Sequence, residues 1–533
     1  MTSVTGMNNI NSLSEIVRVH GAGRPDKTAL IQAGRESVTW AQLLERSSRV
    51  AQALADAGVG ANDRVAFLDK NGIEHFDVSF GASMLNAVSV DVNWRLAAPE
   101  VQFIVDDAEA KVLIVGPDFV PVLDAIVDQL PKVEKFVVIG GHPTHESYDD
   151  WVVRYPADDP GVQSTSADIA FQLYSSGTTG RPKGVMLSNH NLFALLPMAK
   201  DMWGINEHAV NLVAMPLFHI GGGGWAVAGM YEGATSVIFR DLDPAALIRT
   251  IQEERITHAF LVPAVLQFML MVPGAAEADY SSLETIVYGA SPISEDVLAR
   301  CVDLFKCKFW QAYGLTETTG AVVNLAPEDH DTSGPNRHRL RSCGLPGPGV
   351  ELRIVGGDVT SEGGATECEV GEVGEIWIRS PQNTVGYWHL PEETAKAFTD
   401  DGWFKSGDAG YLDADGYLYI HDRVKDMIVS GGENVYPAEV ENVLMGHPAI
   451  ADVAVIGVPH EKWGETAKAM VVRAPDSDVT EAEIIAYAKE RLATFKCPTT
   501  VEWLDVLPRN PSGKVLKKDL REPYWQGHER RVG

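Results

Sequence analysis

Leu173-Tyr-Ser-Ser-Gly-Thr-Thr-Gly-Arg-Pro-Lys-Gly-Val185 lies between an apolar strand start and the strand-like run Gly184 to Leu187. Ser175, Ser176, Thr178 and Thr179 offer hydroxyl donors, and Gly177 and Gly180 let backbone N–H groups turn inward. Lys183 adds a positive charge. Such a loop has what a polyphosphate needs. It is not a Walker A loop, which opens a helix directly after G-K-[ST], because Lys183 is followed by Gly184 and Val185.

Outward from this loop the chain alternates strands and helices. Ser37 starts a short strand, and Leu43, Leu44, Val50 and Leu54 fall in helical phase from Thr39 or Trp40 to Ala57, where Gly58 stops the helix. The strand Arg64 to Leu68 follows. The rhythm recurs as a helix around Val101 to Val105 before the strand Lys111 to Val115, and as Val120 to Leu130 before Phe136 to Ile139. This alternation predicts an α/β fold of helix-covered, largely parallel sheets. Beyond Gly334, the short glycine-separated strands Glu351 to Val355, Gly374 to Arg379 and Gly416 to Ile420 predict a smaller β-rich subdomain, with Gly356 to Glu372 as an exposed hairpin loop. Helices at Pro437 to Met445 and Glu481 to Leu492, with strands at Val453 to Ile456 and Ala469 to Val472, predict a compact α+β domain at the C-terminal side.

The 533 residues, 45% of them apolar in type, are enough for two or more units with their own cores. Lys plus Arg number 44 against 73 Asp plus Glu, a net charge of −29. That field repels polyanions, which argues against nucleic acid as a partner, while local amides and one or two cations can still hold a small anion. Five cysteines without C-x-x-C spacing support neither a zinc site nor a disulfide framework. No basic start with an apolar run opens the chain, and no apolar stretch approaches the ~20 residues a bilayer needs, so a cytoplasmic, non-integral protein is expected.

Further motifs follow the loop: Pro216-Leu-Phe-His219, Tyr288-Gly-Ala-Ser-Pro292, Tyr313-Gly-Leu-Thr-Glu317, Lys405-Ser-Gly-Asp408, Asp422-Arg-Val-Lys-Asp426, Ser430-Gly-Gly-Glu-Asn434 and Pro508-Arg-Asn-Pro-Ser-Gly-Lys514. Together with the Ser/Thr/Gly loop, in this order from about Pro25 to Lys518, they resemble the adenylate-forming superfamily of acyl-CoA synthetases, nonribosomal adenylation domains and beetle luciferases. The resemblance implies an N-terminal adenylation domain over 1–422, a hinge at 423–425 and a mobile C-terminal domain over 426–533. It implies ATP and coenzyme A as co-substrates, with Mg²⁺ held by Glu317 and helped by Thr178. Thr316 would donate to the α-phosphate. Gly289, Ala290 and Tyr313 would form the adenine slot, Asp408 would take the ribose, Arg423 would add a second ribose or phosphate contact, and Lys514 would bridge the attacking carboxylate and the α-phosphate.

By the same resemblance Lys425 marks the hinge, where many relatives carry Asp, and the loop with Gly431 and Gly432 lines the thiol tunnel in the second half-reaction. Trp463 would pack on the CoA nucleotide, with Phe495 and Lys496 as weaker candidates. His219 would lie beside the carboxylate end of the acid. Gly221 to Gly224 remove side-chain volume, which predicts a roomy acid pocket with Val262, Pro263 and Leu266 on another wall. The expected activity is formation of acyl-CoA through acyl-AMP, on medium- or long-chain fatty acids. Aryl or alicyclic acids are the alternative, as is transfer to a carrier protein. Luciferase-type oxygenation is permitted by the motifs, and a non-catalytic nucleotide-binding module is disfavoured by the set Thr178, Glu317, Asp408 and Lys514. No carrier-like sequence follows Lys518, which favours CoA. A homodimer is compatible with the sequence.

Overall fold

The computed structural model describes residues 10–32, 34, 36–175, 182–291, 293–357, 365–423, 426–430, 433–460, 463–475, 477–509 and 514–526. Two large sheets dominate. In the first, the order is Gly386–Tyr387, Lys183–Ser188, Ile169–Ser175, Val88–Asp91, Arg64–Leu68, Ala110–Val115, Lys135–Val138 and Glu146–Ser147. Its strands from Ile169–Ser175 to Glu146–Ser147 pair in parallel, and the central ones, Val88–Asp91 and Arg64–Leu68, are buried on both faces. Ile169–Ser175 and Lys183–Ser188 instead form an antiparallel hairpin, which explains why Lys183 opens a strand and not a helix.

The second sheet runs Leu345–Pro346, Gly320–Leu325, Lys308–Leu315, Thr285–Gly289, His258–Leu261, Val210–Val213, Thr235–Ile238, Thr28–Gln32 and Ser37–Thr39. Its six central strands are parallel. The expected helix after Thr39 is Trp40–Asp56. Thr39 and Gln42 form its capping box, and Leu43, Val50 and Leu54 are buried. It packs on the helix Ile73–Ser83, where Gly81 lets the two approach until an added Cβ would lie 2.7 Å from Val50 Cγ1. One apolar core spans the elements of both sheets.

Antiparallel strands Ala365–Glu367, Glu351–Gly357, Gly374–Arg379, Phe404–Leu412 and Leu418–Arg423 make the expected β-rich subdomain. The C-terminal unit has its own cores, built on the long hairpin Ile450–His460 with Gly464–Arg473 and the helices Pro437–Met445 and Glu481–Lys489. Several bounds differ from the sequence reading. Val120–Ile126 is α-helical and Val127–Gln129 a tighter 3₁₀ turn, because Leu130 leaves the helix to reach the core. The strand expected from Gly416 starts at Leu418, since Gly416 takes a left-handed turn (φ 85°). Among the described residues no helix is long and apolar enough to cross a membrane.

The roomy wall expected from Gly221 to Gly224 is not what these residues form. They begin the helix Ile220–Tyr231, and at Gly221, Gly222 and Gly223 the place of a Cβ is already crowded. A Cβ on Gly222 would lie 2.1 Å from the Pro216 carbonyl oxygen, and one on Gly223 would lie 2.8 Å from that of Leu217. At Gly221 it would meet Phe260 Cε1 at 3.0 Å, and at Gly224 the Ile220 side chain at 3.4 Å. The glycines let the helix start directly beneath the preceding loop. Gly222→Ala should therefore cost ~1–3 kcal/mol through backbone displacement, whereas Gly224→Ala should be neutral or stabilising by up to ~1 kcal/mol from helix propensity. Urea denaturation midpoints of the two variants check this.

Candidate functional site

The parallel strands of the second sheet all point their C-terminal ends at one crevice, where ligands bind in open α/β sheets. His219 follows Val210–Val213, Val262 follows His258–Leu261, Ala290 follows Thr285–Gly289, and Thr316 and Glu317 follow Lys308–Leu315. Strands Thr285–Gly289 and Lys308–Leu315 approach so closely that a Cβ on Gly289 would lie 2.1 Å from the Ala312 carbonyl oxygen. Ala290 then turns through a left-handed conformation (φ 66°), which costs of order 1 kcal/mol and exposes the loop edge to the cleft.

A cleft of ≈ 660 Å³ opens here between the N-terminal sheets and the C-terminal unit. Ala290, Tyr313 and Asp408 line one side, and Lys514, Arg509 and Glu441 line the other. The Tyr313 hydroxyl donates to Asp408 Oδ2 at 2.8 Å, joining the second sheet to the β-rich subdomain. Burial and the Asp408 charge push the Tyr313 pKa far up, so the phenol keeps its proton. Asp408 pairs in register with the backbone of Arg423 across the antiparallel strands. Tyr411 and Tyr419, stacked at 4.9 Å, also border the cleft.

Glu317 sits on the 3₁₀ turn Thr316–Thr318 and is held by neutral donors. Ser175 and Tyr387 each donate a hydroxyl to Glu317 Oε1 at 3.2 Å, and the Thr384 N–H donates to its carbonyl at 2.7 Å. Tyr387, from the strand Gly386–Tyr387, escaped the sequence reading, because nothing in the run Gly386-Tyr-Trp388 signals it. The donor set tests whether Mg²⁺ fits. A carboxylate oriented by hydroxyls is a hard oxygen ligand, and no cluster of three His, Cys, Asp or Glu exists among the described residues. Mg²⁺ is usually held by one or two carboxylates with substrate phosphates and water, so these residues fit it.

Lys183 Nζ donates to Glu393 Oε2 at 2.6 Å, and Lys396 donates to Glu393 Oε1 at 2.8 Å. These hydrogen bonds draw the Glu393 pKa down to about 2, so the Lys183 charge is shared with a carboxylate the sequence reading did not name. His219 caps the helix Ile220–Tyr231, its Nδ1 accepting the Gly221 N–H at 3.1 Å. Burial, with the charge of nearby Lys514, lowers its pKa to about 4. The ring is thus neutral near pH 7, with its proton on Nε2. The structure places Ala290, Tyr313, Asp408 and Lys514 on the cleft, sets His219 close enough to Lys514 to feel its charge, joins Ser175 to Glu317 next to Thr316, packs Gly289 on Ala312 and pairs Lys183 with Glu393. Trp463 stands apart, 45% exposed beside His460 on the C-terminal unit, with Phe495 also exposed. Ser176, Gly177, Thr178, Thr179, Gly180, Lys425, Gly431 and Gly432 lie outside the described residues, as does the side chain of Arg423.

The profile of the AMP-binding enzyme family matches residues 17–388, and that of the AMP-binding enzyme C-terminal domain matches residues 439–514. The chain is 38% identical over 530 residues to the fatty acid–[acyl-carrier-protein] ligase ScoC of Streptomyces coeruleorubidus, covering 98% of each protein. It is 38% identical over 488 residues to the long-chain-fatty-acid–CoA ligase FadD13 of Mycobacterium tuberculosis, covering 91% of this chain and 93% of that one. The solved anthranilate CoA ligase AuaEII, in complex with anthranoyl-AMP, superposes with a TM-score of 0.87 at 30% identity over 96% of this chain and 97% of its own. With matching profiles for both units and full-length relatives in sequence and structure, the chain belongs to the AMP-binding enzyme family, the adenylate-forming superfamily that includes the acyl-CoA synthetases.

Proposed function

We infer that this chain is an ATP-dependent acid–CoA ligase and that its acid is compact, an aryl acid or a short- to medium-chain acyl group. In the first step a carboxylate oxygen bonds to the α-phosphorus of ATP and the bond to pyrophosphate breaks. In the second, the CoA sulfur bonds to the acyl carbon and AMP leaves. Two anions must meet in the first step, so neutralising charge is the main catalytic task. The Lys514 ammonium serves this by lying between carboxylate and α-phosphate, and Thr316 donates its hydroxyl to the phosphate. Asp408, oriented by the Tyr313 hydroxyl, accepts from the ribose hydroxyls. Ser175 and Lys183 would take the polyphosphate. Bound Mg²⁺ supplies charge neutralisation at the phosphate oxygens; Glu317 would hold it, with Thr178. For the second step, Lys425 serves as the hinge and the Gly431–Gly432 loop as the thiol channel, with Trp463 on the CoA nucleotide.

The observation that carries the activity is the convergence of Lys514 and the Tyr313–Asp408 pair on one cleft, with neutral His219 close enough to Lys514 to feel its charge. The size of the acid is argued from the glycine run. Phe260 occupies the volume that Gly221 lacks, and Trp225, its ring 6.2 Å from that of Phe260, is pinned by its Nε1–H donating to the Leu212 carbonyl. Trp203, 5.5 Å from Trp225, continues the aromatic floor. An acid lying beside His219 therefore meets rings within a short distance. The longer fatty acids expected from four glycines lose that support, and the single-ring acid named for AuaEII fits the shorter space.

Lys514→Ala should lower ATP–pyrophosphate exchange ~10²-fold or more, while thioester formation from supplied acyl adenylate is largely spared. Exchange near wild type would remove Lys514 from the chemistry. Because His219 is neutral above about pH 5, its titration should add no inflection to kcat/KM between pH 6 and 8, a range the pH profile checks. AMP release should be faster with benzoate or hexanoate than with palmitate, and Phe260→Ala should shift preference to longer acids by ~10-fold or more. Faster turnover of palmitate by the wild type would sink the compact-acid reading, and AMP release that ignored CoA but responded to a carrier protein would move the activity to that acceptor.

A further inference from the structure

Asn71 lies in the turn after the strand Arg64–Leu68, just before the helix Ile73–Ser83, and is only 5% exposed. Its backbone belongs to the first sheet, yet its side chain serves the second. Nδ2 donates to the Met215 carbonyl at 3.0 Å and to the Phe239 carbonyl at 3.2 Å, and Oδ1 accepts the Leu217 N–H at 3.0 Å. Both amide hydrogens are thus used, and the orientation of the amide is fixed by the donors and acceptors facing it. Met215 and Leu217 begin the loop that ends at His219, and Phe239 directly follows the neighbouring strand Thr235–Ile238. One side chain therefore closes three buried backbone groups on two adjacent loops at the C-terminal edge of the sheet that carries the site.

The consequences run along the loop. The Pro216 carbonyl, between the two groups Asn71 holds, accepts the His219 N–H at 3.2 Å and presses on Gly222; the Leu217 carbonyl presses on Gly223. A tilt of either peptide would displace the start of the helix and His219, its cap. Other links cross the same seam: Arg240 binds Asp69 at 2.8 and 3.0 Å, and Lys70 binds Asp241 at 2.7 Å. The Lys70 pair is exposed on its Asp241 side, 70% accessible, and such pairs contribute little. The Arg240 pair fixes the seam without touching Met215 or Leu217. Trp94 meets Phe218 of the loop edge-to-face at 6.3 Å, and Asn71 holds the loop's backbone by hydrogen bonds.

We propose that Asn71 is a positioning residue for the acid half of the site, setting where His219 stands by clamping the Met215–His219 loop of one sheet from the other. The proposal rests on the ligase reading, because it concerns the acid that lies beside His219. It adds that acid binding depends on how the two N-terminal sheets are seated, while the adenine slot between Thr285–Gly289 and Lys308–Leu315 does not.

The test uses the full chain with Asn71→Ala and with Asn71→Ser, which keeps one hydroxyl at the seam. Steady-state kinetics with ATP, CoA and benzoate or hexanoate should show the acid KM raised ~10-fold or more and kcat/KM for the acid reduced ~10²-fold. The ATP KM should stay within about twofold, and Asn71→Ser should recover part of the loss. Independently of any acid, the His219 Cε1–H NMR signal should shift in both variants and begin to titrate closer to the ordinary histidine range. Equal changes in the KM values for acid and ATP, or lower kcat with both KM values and the His219 signal unchanged, would overturn the positioning role, as would failure of both variants to fold. Wild-type protein that forms no AMP with any acid would instead defeat the ligase reading and leave the His219 signal as the judge of the clamp.

Discussion

A side chain at position 289 has nowhere to go. The strands Thr285–Gly289 and Lys308–Leu315 lie in parallel register, and the Ala312 carbonyl occupies the place of a Cβ on Gly289. This close approach fixes the crevice on which everything else depends. It brings Ala290 and Tyr313 onto facing edges, and the turn that follows places Thr316 and Glu317 at the mouth. Gly314, whose Cβ would strike the Gly320 carbonyl at 1.7 Å, then folds the chain back into the strand Gly320–Leu325. Backbone proximity, with glycine wherever two carbonyl-bearing segments meet, is the constraint that the side-chain chemistry inherits.

Electrostatics are arranged locally against an unfavourable background. The chain carries a net charge of −29, and within the site Lys183 shares its charge with Glu393. Glu317 is held by hydroxyl donors, which orient a carboxylate without cancelling its charge. His219 is half-buried and neutral. The ammonium of Lys514 reaches the cleft from the C-terminal unit, so the seating of that unit over the N-terminal sheets controls the positive charge available to two anionic substrates. The arrangement suits a reaction in which one anion must approach another.

Much of the fold could be read from the chain. Period-2 and period-3.6 patterns located the strand Arg64–Leu68, the helix Trp40–Asp56 and the helix Pro437–Met445, since each buries one repeating face or lies wholly inside. Elements whose pattern is weak were not marked: the helix Leu13–Gly23 and the strand Thr28–Gln32, which earns its place only by pairing with Thr235–Ile238. For the site, the motifs named the residues on the crevice but not their partners. Tyr387 beside Glu317, Glu393 beside Lys183 and Asn71 beneath the His219 loop come from segments distant in sequence, with ordinary neighbours on either side.

The glycine run at Gly221 to Gly224 marks the boundary between the two kinds of information. Sequence alone determined that no side chains stand there, and it determined the identity of the chemistry through motifs whose residue types suit phosphate, ribose and carboxylate. Whether missing volume becomes open space depends on what the rest of the chain packs into it, a long-range property that local sequence does not encode. Tertiary structure decided that the Pro216 and Leu217 carbonyls and Phe260 crowd the places of Gly222, Gly223 and Gly221, and that a loop of one sheet is held in place by an amide from the other.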